Sequence, residues 1–343
     1  MAGSSKLRGA ISGFGEVAAR AHLDGWRSRP NIALAAIHDP ISARRHEAIR
    51  LIKNVRVYDD LELMLDGEAP DFVDVASPPG LHHAAARAVL AAGAHAIVEK
   101  PLALSLPQFN ELVTVAAEKR RVLMCVHNWK YAPAYATARR AIEAGRLGAI
   151  RFMSIDRLRT APAGAGGSGG KWRAAAASGG GILIDHGWHV FYLMNWLLGG
   201  ECPASISAQL ESPAGVNVDD VADVRIRFAG GSICRAHLSW RSPVRRTSAL
   251  IYGERACIEI EGDRVALTDR SGKVEDLSVA DIADDSYHSA WFGSVAAEFE
   301  QAVAEGTDSP VASRNLTEAR VALMLIDGAR RSSAQHGVDI NLS

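Results

Sequence analysis

The feature that most constrains the fold is a regular alternation over residues 7–126, where short apolar runs are separated by segments with helical periodicity. The apolar runs predict six strands, at 7–12, 33–38, 55–57, 72–76, 95–98 and 122–126, and the intervening segments predict helices that include 16–27, 81–92 and 107–119. Strands that alternate with helices pair in parallel and are covered by helices on both faces. This part of the chain therefore predicts an α/β fold built on a doubly wound parallel sheet.

The pattern changes after residue 150, where strand-like runs follow one another through turn residues. Residues 221–228 and 232–240 flank a short Ala-Gly-Gly turn and predict a long hairpin. Further runs predict one mostly antiparallel sheet with helices beside it; the runs are 249–252, 256–261 and 265–268, and the helices 182–198, 291–304 and 318–335. A chain of 343 residues is long enough for two domains, and we place them at 1–126 and 127–343, the second being α+β.

Composition bears on partners and location. Lys and Arg total 38 against 39 Asp and Glu, a formal charge of -1 with no long run of one sign. This balance provides no strong attraction to nucleic acid or to an anionic membrane, so neither is expected as a partner. The apolar segment at 7–12 is too short for a signal-peptide core or a membrane span, and we expect a cytoplasmic location.

A glycine-rich turn follows the first predicted strand, where residues 13–18 (GFGEVA) fit the pattern G-x-G-x-x-G/A. Gly13 permits a tight turn, Gly15 lets the backbone approach a pyrophosphate, and Ala18 lets helix and strand pack closely. Asp39 ends the second predicted strand, near the place where a carboxylate binds the adenosine ribose. Together they predict a dinucleotide site of the Rossmann type; the alternative is an ordinary glycine turn and a helix-capping aspartate.

Asp39 also bears on the choice of cofactor. A carboxylate at the ribose repels the additional phosphate of NADP, which favours NAD. Arg44 and Arg45 follow shortly and can offset that repulsion if the loop folds back, so NADP stays open as an alternative.

Lys100 lies at the carboxyl end of the fifth predicted strand, within Glu99-Lys100-Pro101. In an open parallel sheet the ligand crevice lies outside the strand carboxyl ends, so Lys100 is a candidate site residue. Its ammonium group can donate to a substrate oxygen or exchange a proton. The alternative is a solvated lysine beside Glu99.

A second cluster opens a strongly apolar helix at residues 185–189 (DHGWH). Asp185 and His189 are four positions apart and share one helical face, which Tyr192 and Trp196 continue. Histidine is the natural base at neutral pH, and a carboxylate one turn away can orient it and stabilise its charged form. The alternative is a helix N-terminal Asp and a core His.

A metal site is the weaker interpretation of this cluster. It recruits Asp185, His186 and His189, with His82 or His83, but His186 is rotated by about 100° from Asp185 on a helix, and no further ligand cluster is present. No metal is therefore expected. The four cysteines lack paired spacing and are expected to be small buried side chains rather than ligands or disulfide partners.

Four motifs in order, GFGEVA at 13–18, ASPPGLH at 76–82, EKP at 99–101 and DHGWH at 185–189, resemble the glucose-fructose oxidoreductase/inositol dehydrogenase (Gfo/Idh/MocA) family over essentially the whole chain. The EKP tripeptide followed by D-x-x-x-H is the more specific pair. The resemblance implies an N-terminal Rossmann domain that binds NAD and a C-terminal open antiparallel sheet whose flat face mediates homodimers or homotetramers. It also implies a sugar, cyclitol or related polyol as substrate.

The resemblance also implies individual roles. Lys100 is expected to contact both nicotinamide and substrate, and Asp185 and His189 to form the proton-transfer pair. Trp172 and Arg173 match a W-R that precedes this helix in relatives and helps to shape the substrate pocket. The candidate cofactor-binding residues are Gly13, Phe14, Gly15, Glu16, Val17, Asp39, Ser77, Pro78, His82, Glu99 and Lys100. The candidate substrate-binding residues are Lys100, Trp172, Arg173, Asp185 and His189. The Gly/Ala/Ser-rich stretch 163–170 is expected to be a surface loop, with a lid as the alternative.

The leading functional hypothesis is reversible oxidation of a secondary hydroxyl, with the hydride passing to nicotinamide while His189 removes the hydroxyl proton and Lys100 polarises the oxygen. One alternative is NAD-dependent glycoside cleavage through transient oxidation, which recycles NADH instead of accumulating it. A second is a non-catalytic dinucleotide-binding regulator. The presence of Lys100, Asp185 and His189 together argues against the regulator.

Overall fold

The computed structural model describes residues 6–163, 172–175, 178–279 and 288–342. The strands are β1 (Leu7–Ser12), β2 (Ile32–His38), β3 (Arg56–Tyr58), β4 (Phe72–Val75), β5 (His95–Val98), β6 (Leu123–Cys125), β7 (Ile150–Leu158), β8 (Pro203–Glu211), β9 (Val221–Phe228), β10 (Ile233–Ser239), β11 (Arg246–Gly253), β12 (Ala256–Glu261), β13 (Arg264–Asp269), β14 (Val274–Asp276) and β15 (Ile340–Asn341). The helices are α1 (Leu23–Arg27), α2 (Ser42–Leu51), α3 (Leu61–Glu68), α4 (Pro79–Ala91), α5 (Leu106–Lys119), α6 (Pro133–Glu143), α7 (Trp188–Leu197), α8 (Ser289–Glu305) and α9 (Pro310–Ala334). Single π-helical turns at Ala18–His22 and Leu183–Gly187 lead into α1 and α7.

The chain divides into two compact units. One consists of Met1–Asn128 with Ala283–Thr317, and the other of Trp129–Ile282 with Glu318–Ser343. The division differs from the expected domains in that a later segment, with α8 and the start of α9, belongs to the first unit.

The first unit contains a six-stranded sheet in the order β3-β2-β1-β4-β5-β6, and all five strand pairings are parallel. The prediction of a doubly wound parallel sheet is confirmed. Its central strands are buried on both faces, which is why β4 and β5 are nearly continuous apolar runs without alternation. This strand order places the ends of β1 and β4 at the point where the order reverses, the usual position of a ligand crevice.

The second unit contains a nine-stranded sheet in the order β14-β13-β12-β11-β7-β10-β9-β8-β15. The pairings are antiparallel except that β7 and β10 run parallel, so the prediction of a mostly antiparallel sheet is confirmed. Alternate residues of β9 are buried, from Ala222 to Phe228, as in a sheet covered on one face. No helix among the described residues combines the length and apolar character needed to cross a membrane.

Several local expectations need correction. Helix α9 begins at Pro310 rather than at residue 318, because Ser309 accepts a hydrogen bond from the Ala312 N–H and the proline occupies the first helical position. The strands β7 and β8 were not among the predicted runs. Cys125 and Cys234 are buried as expected, whereas Cys202 is exposed.

Candidate functional site

The glycine-rich turn connects β1 to the first π-helical turn. Gly13 has φ +93°, and a Cβ atom there would lie 2.6 Å from the backbone nitrogen of Ser77, which follows β4. Both observations require glycine. The Phe14 N–H donates to Oδ2 of Asp39 at 2.8 Å, so the ends of β1, β2 and β4 are held together at one edge of the sheet.

Asp39 is 1% exposed and anchors this turn. Its Oδ1 accepts a hydrogen bond from the Ile41 N–H at 2.8 Å, while Oδ2 accepts the bond from Phe14. Arg44 lies 3.4 Å from the same Oδ2, and Arg45 donates to the Asp39 carbonyl oxygen. The Asp39 carboxylate therefore fixes the conformation of the turn and gives it a negative charge. The positive charge of Arg44 offsets part of that negative charge.

The residues around this crevice fit a dinucleotide. The Ser77 hydroxyl is buried and has no hydrogen-bond partner among the described residues, and Gly13 packs closely against the Ser77 backbone. His82 is buried with Nε2 2.6 Å from the Ser77 carbonyl oxygen and Nδ1 2.7 Å from that of Pro101. Pro78, Glu16 and Val17 are exposed. An unsatisfied hydroxyl beside a glycine-rich turn at the end of β1 is an arrangement that a phosphate or ribose can complete.

Lys100 follows β5, at the carboxyl end of the parallel sheet, and is half-buried. Its backbone N–H donates to Oε2 of Glu99 at 2.9 Å, and the Lys100–Pro101 peptide bond is cis. Lys100 thus follows the fifth strand as predicted.

A buried network behind Glu99 was not predicted from the sequence. His22 donates from Nδ1 to Asp74 at 2.8 Å and from Nε2 to Glu99 at 3.1 Å, and Phe292 stacks on the ring at 3.7 Å. Trp26 donates to the same Asp74 oxygen at 2.7 Å. Burial lowers the pKa of His22, but the two carboxylates outweigh it and raise the pKa to about 9. The charged imidazole of His22 thus fixes the Glu99 carboxylate by a hydrogen bond from Nε2.

In the second unit, Asp185 lies in the π-helical turn before α7 and His189 in the first turn of α7; both are buried. The backbone enters this turn through Gly181, at φ +103°, and the Leu183 N–H donates to Asp219 at 2.7 Å. Arg173 donates to Oδ2 of Asp185 at 2.7 Å. The structure thus brings together three of the predicted substrate residues.

His189 is held by two groups that sequence reasoning did not assign as its partners. Its Nδ1 lies 3.1 Å from the Tyr192 hydroxyl, which accepts a hydrogen bond from the backbone N–H of Trp129. The ring stacks on Trp129 at 4.1 Å between centroids, and the Arg157 guanidinium lies 3.9 Å from the centroid of the same indole. At these distances the two groups cannot share one face, so Trp129 separates them.

Other expectations have mixed outcomes. Trp196 lies beneath Arg139, whose guanidinium is 5.5 Å from its ring. Trp172 lies beside Arg173 at 4.4 Å. The part of the chain that the structure describes contains no group of three His, Cys, Asp or Glu side chains able to hold a metal ion. The expected loop at 163–170 lies outside the described residues except for residue 163.

Comparison with protein families gives two matches. Residues 7–127 match the model described as oxidoreductase family, NAD-binding Rossmann fold, and residues 135–259 match the GFO/IDH/MocA C-terminal domain. Both are parts of the architecture that the motifs imply.

Individual proteins are similar over most of the chain. The D-glucoside 3-dehydrogenase of Escherichia coli (strain K12) is 28% identical over 304 residues, 83% of this chain and 85% of that protein. An inositol dehydrogenase homologue of Azotobacter vinelandii, solved with NADH and myo-inositol, has a TM-score of 0.84 at 20% identity, covering 98% of each chain. A levoglucosan dehydrogenase, solved with NADH and levoglucosan, has a TM-score of 0.85 at 21% identity, covering 98% of this chain and 100% of that one.

Proposed function

This chain belongs to the GFO/IDH/MocA family of oxidoreductases with an NAD-binding Rossmann domain, and on that premise we propose that it oxidises a secondary hydroxyl of a sugar, cyclitol or related polyol. The observation that carries the proposal is the placement of buried Asp185 and His189 in consecutive helical turns, where His189 is oriented by Tyr192 and Trp129. The name of the E. coli relative, a glucoside dehydrogenase, supports a sugar-like substrate.

The reaction divides between three side chains. His189 accepts the hydroxyl proton while the carbon–hydrogen bond breaks and the carbonyl group forms. Asp185 stabilises the positive charge that His189 gains, and Lys100 donates a hydrogen bond to the reacting oxygen. NAD, when bound, supplies the acceptor for the hydride. Arg173, paired with Asp185, and Trp172 beside it are assigned to the wall of the substrate pocket.

The cofactor is held by the crevice residues of the first unit. Gly13, Phe14, Gly15, Glu16 and Val17 form the phosphate-binding turn, and Asp39 disfavours the additional phosphate of NADP. Ser77, Pro78, His82 and Glu99 complete this assignment with Lys100. Support comes from the positive φ of Gly13 in this turn and from the unsatisfied Ser77 hydroxyl. Arg44 beside Asp39 keeps NADP as a weaker alternative.

Three further assignments are part of the proposal. Residues 1–126 are assigned to cofactor binding and residues 127–343 to substrate binding and oligomerisation, although 283–317 belong to the first compact unit. The protein works as a homodimer or homotetramer through its open sheet face, in the cytoplasm and without nucleic-acid or membrane partners. Support comes from the nine-stranded sheet with one covered face and from the balanced charge.

The test is a screen of neutral and acidic sugars and cyclitols with NAD, followed by NADH fluorescence and by mass spectrometry of the products. The proposal predicts stoichiometric NADH and a ketone product from at least one compound. Glycoside cleavage without net NADH would point to the glycosidase alternative. Tight NAD binding with no conversion of any compound would point to a regulator.

A further inference from the structure

Two arginine side chains at one edge of the second sheet lack the carboxylates that buried guanidinium groups normally have. Arg157 is the second-last residue of β7, and Arg159, which is 7% exposed, directly follows the strand. Neither makes an ion pair with a carboxylate of the described residues; their acceptors are neutral. A buried charge without an opposite charge is costly, so such a pair requires an explanation.

The two groups are close together. Both donate to the same hydroxyl oxygen of Thr247, from Arg157 at 2.6 Å and from Arg159 at 3.0 Å. Burial, followed by the neighbouring positive charge of Arg159, lowers the pKa of Arg157 to about 9. Arg245, just before β11, adds a third positive charge that acts on both, and the Asp185 carboxylate offsets part of this charge at Arg157. Three guanidinium groups thus act on one another at this edge.

The hydrogen-bonding groups around the arginines are also unsatisfied. Tyr135 interacts electrostatically with both arginines, and its buried hydroxyl has no partner within the described residues. The indole N–H of Trp240, a residue that is 4% exposed, also has no hydrogen-bond partner within the described residues. Strands β7 and β10 run parallel, so their ends lie side by side. Trp240 directly follows β10 and Arg159 directly follows β7. The backbone N–H of Arg159 donates to the Ser239 carbonyl oxygen.

This edge adjoins the proposed proton-transfer pair. The Arg157 guanidinium packs on Trp129, whose other face carries His189, and Nε of Arg157 donates to Nδ1 of His186 at 3.4 Å. His186 in turn lies 3.6 Å from Asp185. Arg157 and His189 therefore contact the same indole, so a ligand bound beside His189 is close to this edge.

The geometry points to an anion-binding subsite formed by Arg157 and Arg159, with Tyr135 and Trp240 as additional donors, so that the substrate of this enzyme is a sugar or cyclitol carrying a carboxylate or phosphate. Guanidinium groups bind such anions through paired N–H donors, and these two are already held in place by Thr247, Trp129 and backbone carbonyl groups. The inference rests on the proposed dehydrogenase function, whose substrate class it narrows.

The test compares matched pairs of compounds that differ only in charge. D-glucose and D-galactose are each assayed with NAD beside D-glucuronate and D-galacturonate, and D-glucose 6-phosphate separates a phosphate from a carboxylate. The variants are Arg157→Gln, Arg159→Gln and the charge-keeping Arg159→Lys. Arg151→Gln is the control, since Arg151 lies on the same strand but is exposed and paired with Glu254.

We expect an acidic compound to have the higher kcat/KM. Arg159→Gln should lower kcat/KM for that compound roughly 100-fold and leave its neutral counterpart unchanged, Arg159→Lys should restore part of the loss, and Arg151→Gln should behave as the unaltered enzyme. Neutral sugars oxidised at least as well, with equal effects of the arginine variants on both members of a pair, would overturn the proposal while leaving the dehydrogenase function intact.

A binding measurement separates the two proposals if no compound is oxidised. Calorimetry with D-glucuronate, D-galacturonate, malonate and inorganic phosphate uses the same four variants after circular dichroism has verified their folding. Binding that disappears in Arg157→Gln and Arg159→Gln but persists in Arg151→Gln supports the anion subsite even when the dehydrogenase assay fails. Absence of binding by all four anions overturns it.

Discussion

The imidazole of His189 lies flat against the indole of Trp129, with ring centroids 4.1 Å apart and ring planes inclined by 4°. Together with the Tyr192 hydroxyl at Nδ1, this contact restricts the imidazole to one orientation. A general base must lie within hydrogen-bonding reach of its proton, so the stack positions the proposed base before any substrate arrives.

Replacing Trp129 should therefore reduce turnover without removing the base. We expect Trp129→Ala to lower kcat about 100-fold, because a small displacement of a catalytic group has an effect of that order, and Trp129→Phe to lower it less. Trp196→Phe is the control, since that indole contacts Arg139 instead. Steady-state kinetics on folded variants decides; unchanged kcat in Trp129→Ala would show that the stack does not position His189.

The His22 network predicts a pH-dependent stability. The folded-state pKa of His22, about 9, lies above its ordinary value of 6.5, so its stabilising effect is fully present below pH 6.5 and is lost as the pH rises through about 9. The His22→Gln variant should have a free energy of unfolding lower by about 3 kcal/mol at neutral pH. Its stability should no longer show this pH dependence.

Urea unfolding at a series of pH values measures both effects. His46→Gln is the matched control because His46 is exposed. A stability of the unaltered protein that stays constant between about pH 6 and about pH 10, after correction with the control, would contradict a charged His22.

The alternation of short apolar runs with helical segments was sufficient to predict the parallel sheet, because the central strands β4 and β5 are buried and the apolar runs are visible locally in the sequence. Strand β7 escaped prediction since polar and charged residues interrupt its apolar positions, and Arg157 and Arg159 lie at or just beyond its end. The partners of His22, 52 and 77 residues away in sequence, and the Trp129 stack are formed by tertiary packing. No local pattern encodes such contacts, whereas the Gly13 turn and the Asp185/His189 spacing are local and were predictable.

Asp39 should favour NAD over NADP. Asp39→Ser removes the negative charge and also the acceptor of the Phe14 N–H. The difference in affinity between NADH and NADPH should therefore narrow, while the affinity for both falls. Fluorescence titration with NADH and NADPH measures the ratio. Asp59→Ser, at an exposed carboxylate nearby, should leave it unchanged. Tighter binding of NADPH by the unaltered protein would contradict the role given to Asp39.

The open sheet face should support self-association. Light scattering at micromolar concentration with NAD present is expected to give the mass of a dimer or tetramer, because a broad sheet with only one covered face provides a large surface for a second copy. A monomer under these conditions removes the assembly assignment and leaves the fold unaffected.

The most direct test of the central claim is the rate of NADH formation by His189→Ala with an identified substrate. We predict a fall of about 10²- to 10⁴-fold in kcat with nearly unchanged NAD affinity, since the side chain acts as the base and the dinucleotide is held by the first unit. Lys100→Ala should lose more activity, because we propose that Lys100 contacts both reactants. Asp185→Asn should lose less, because it keeps the shape of the carboxylate. Near-normal turnover by folded His189→Ala would contradict the account and transfer the base role to Lys100 or Tyr192.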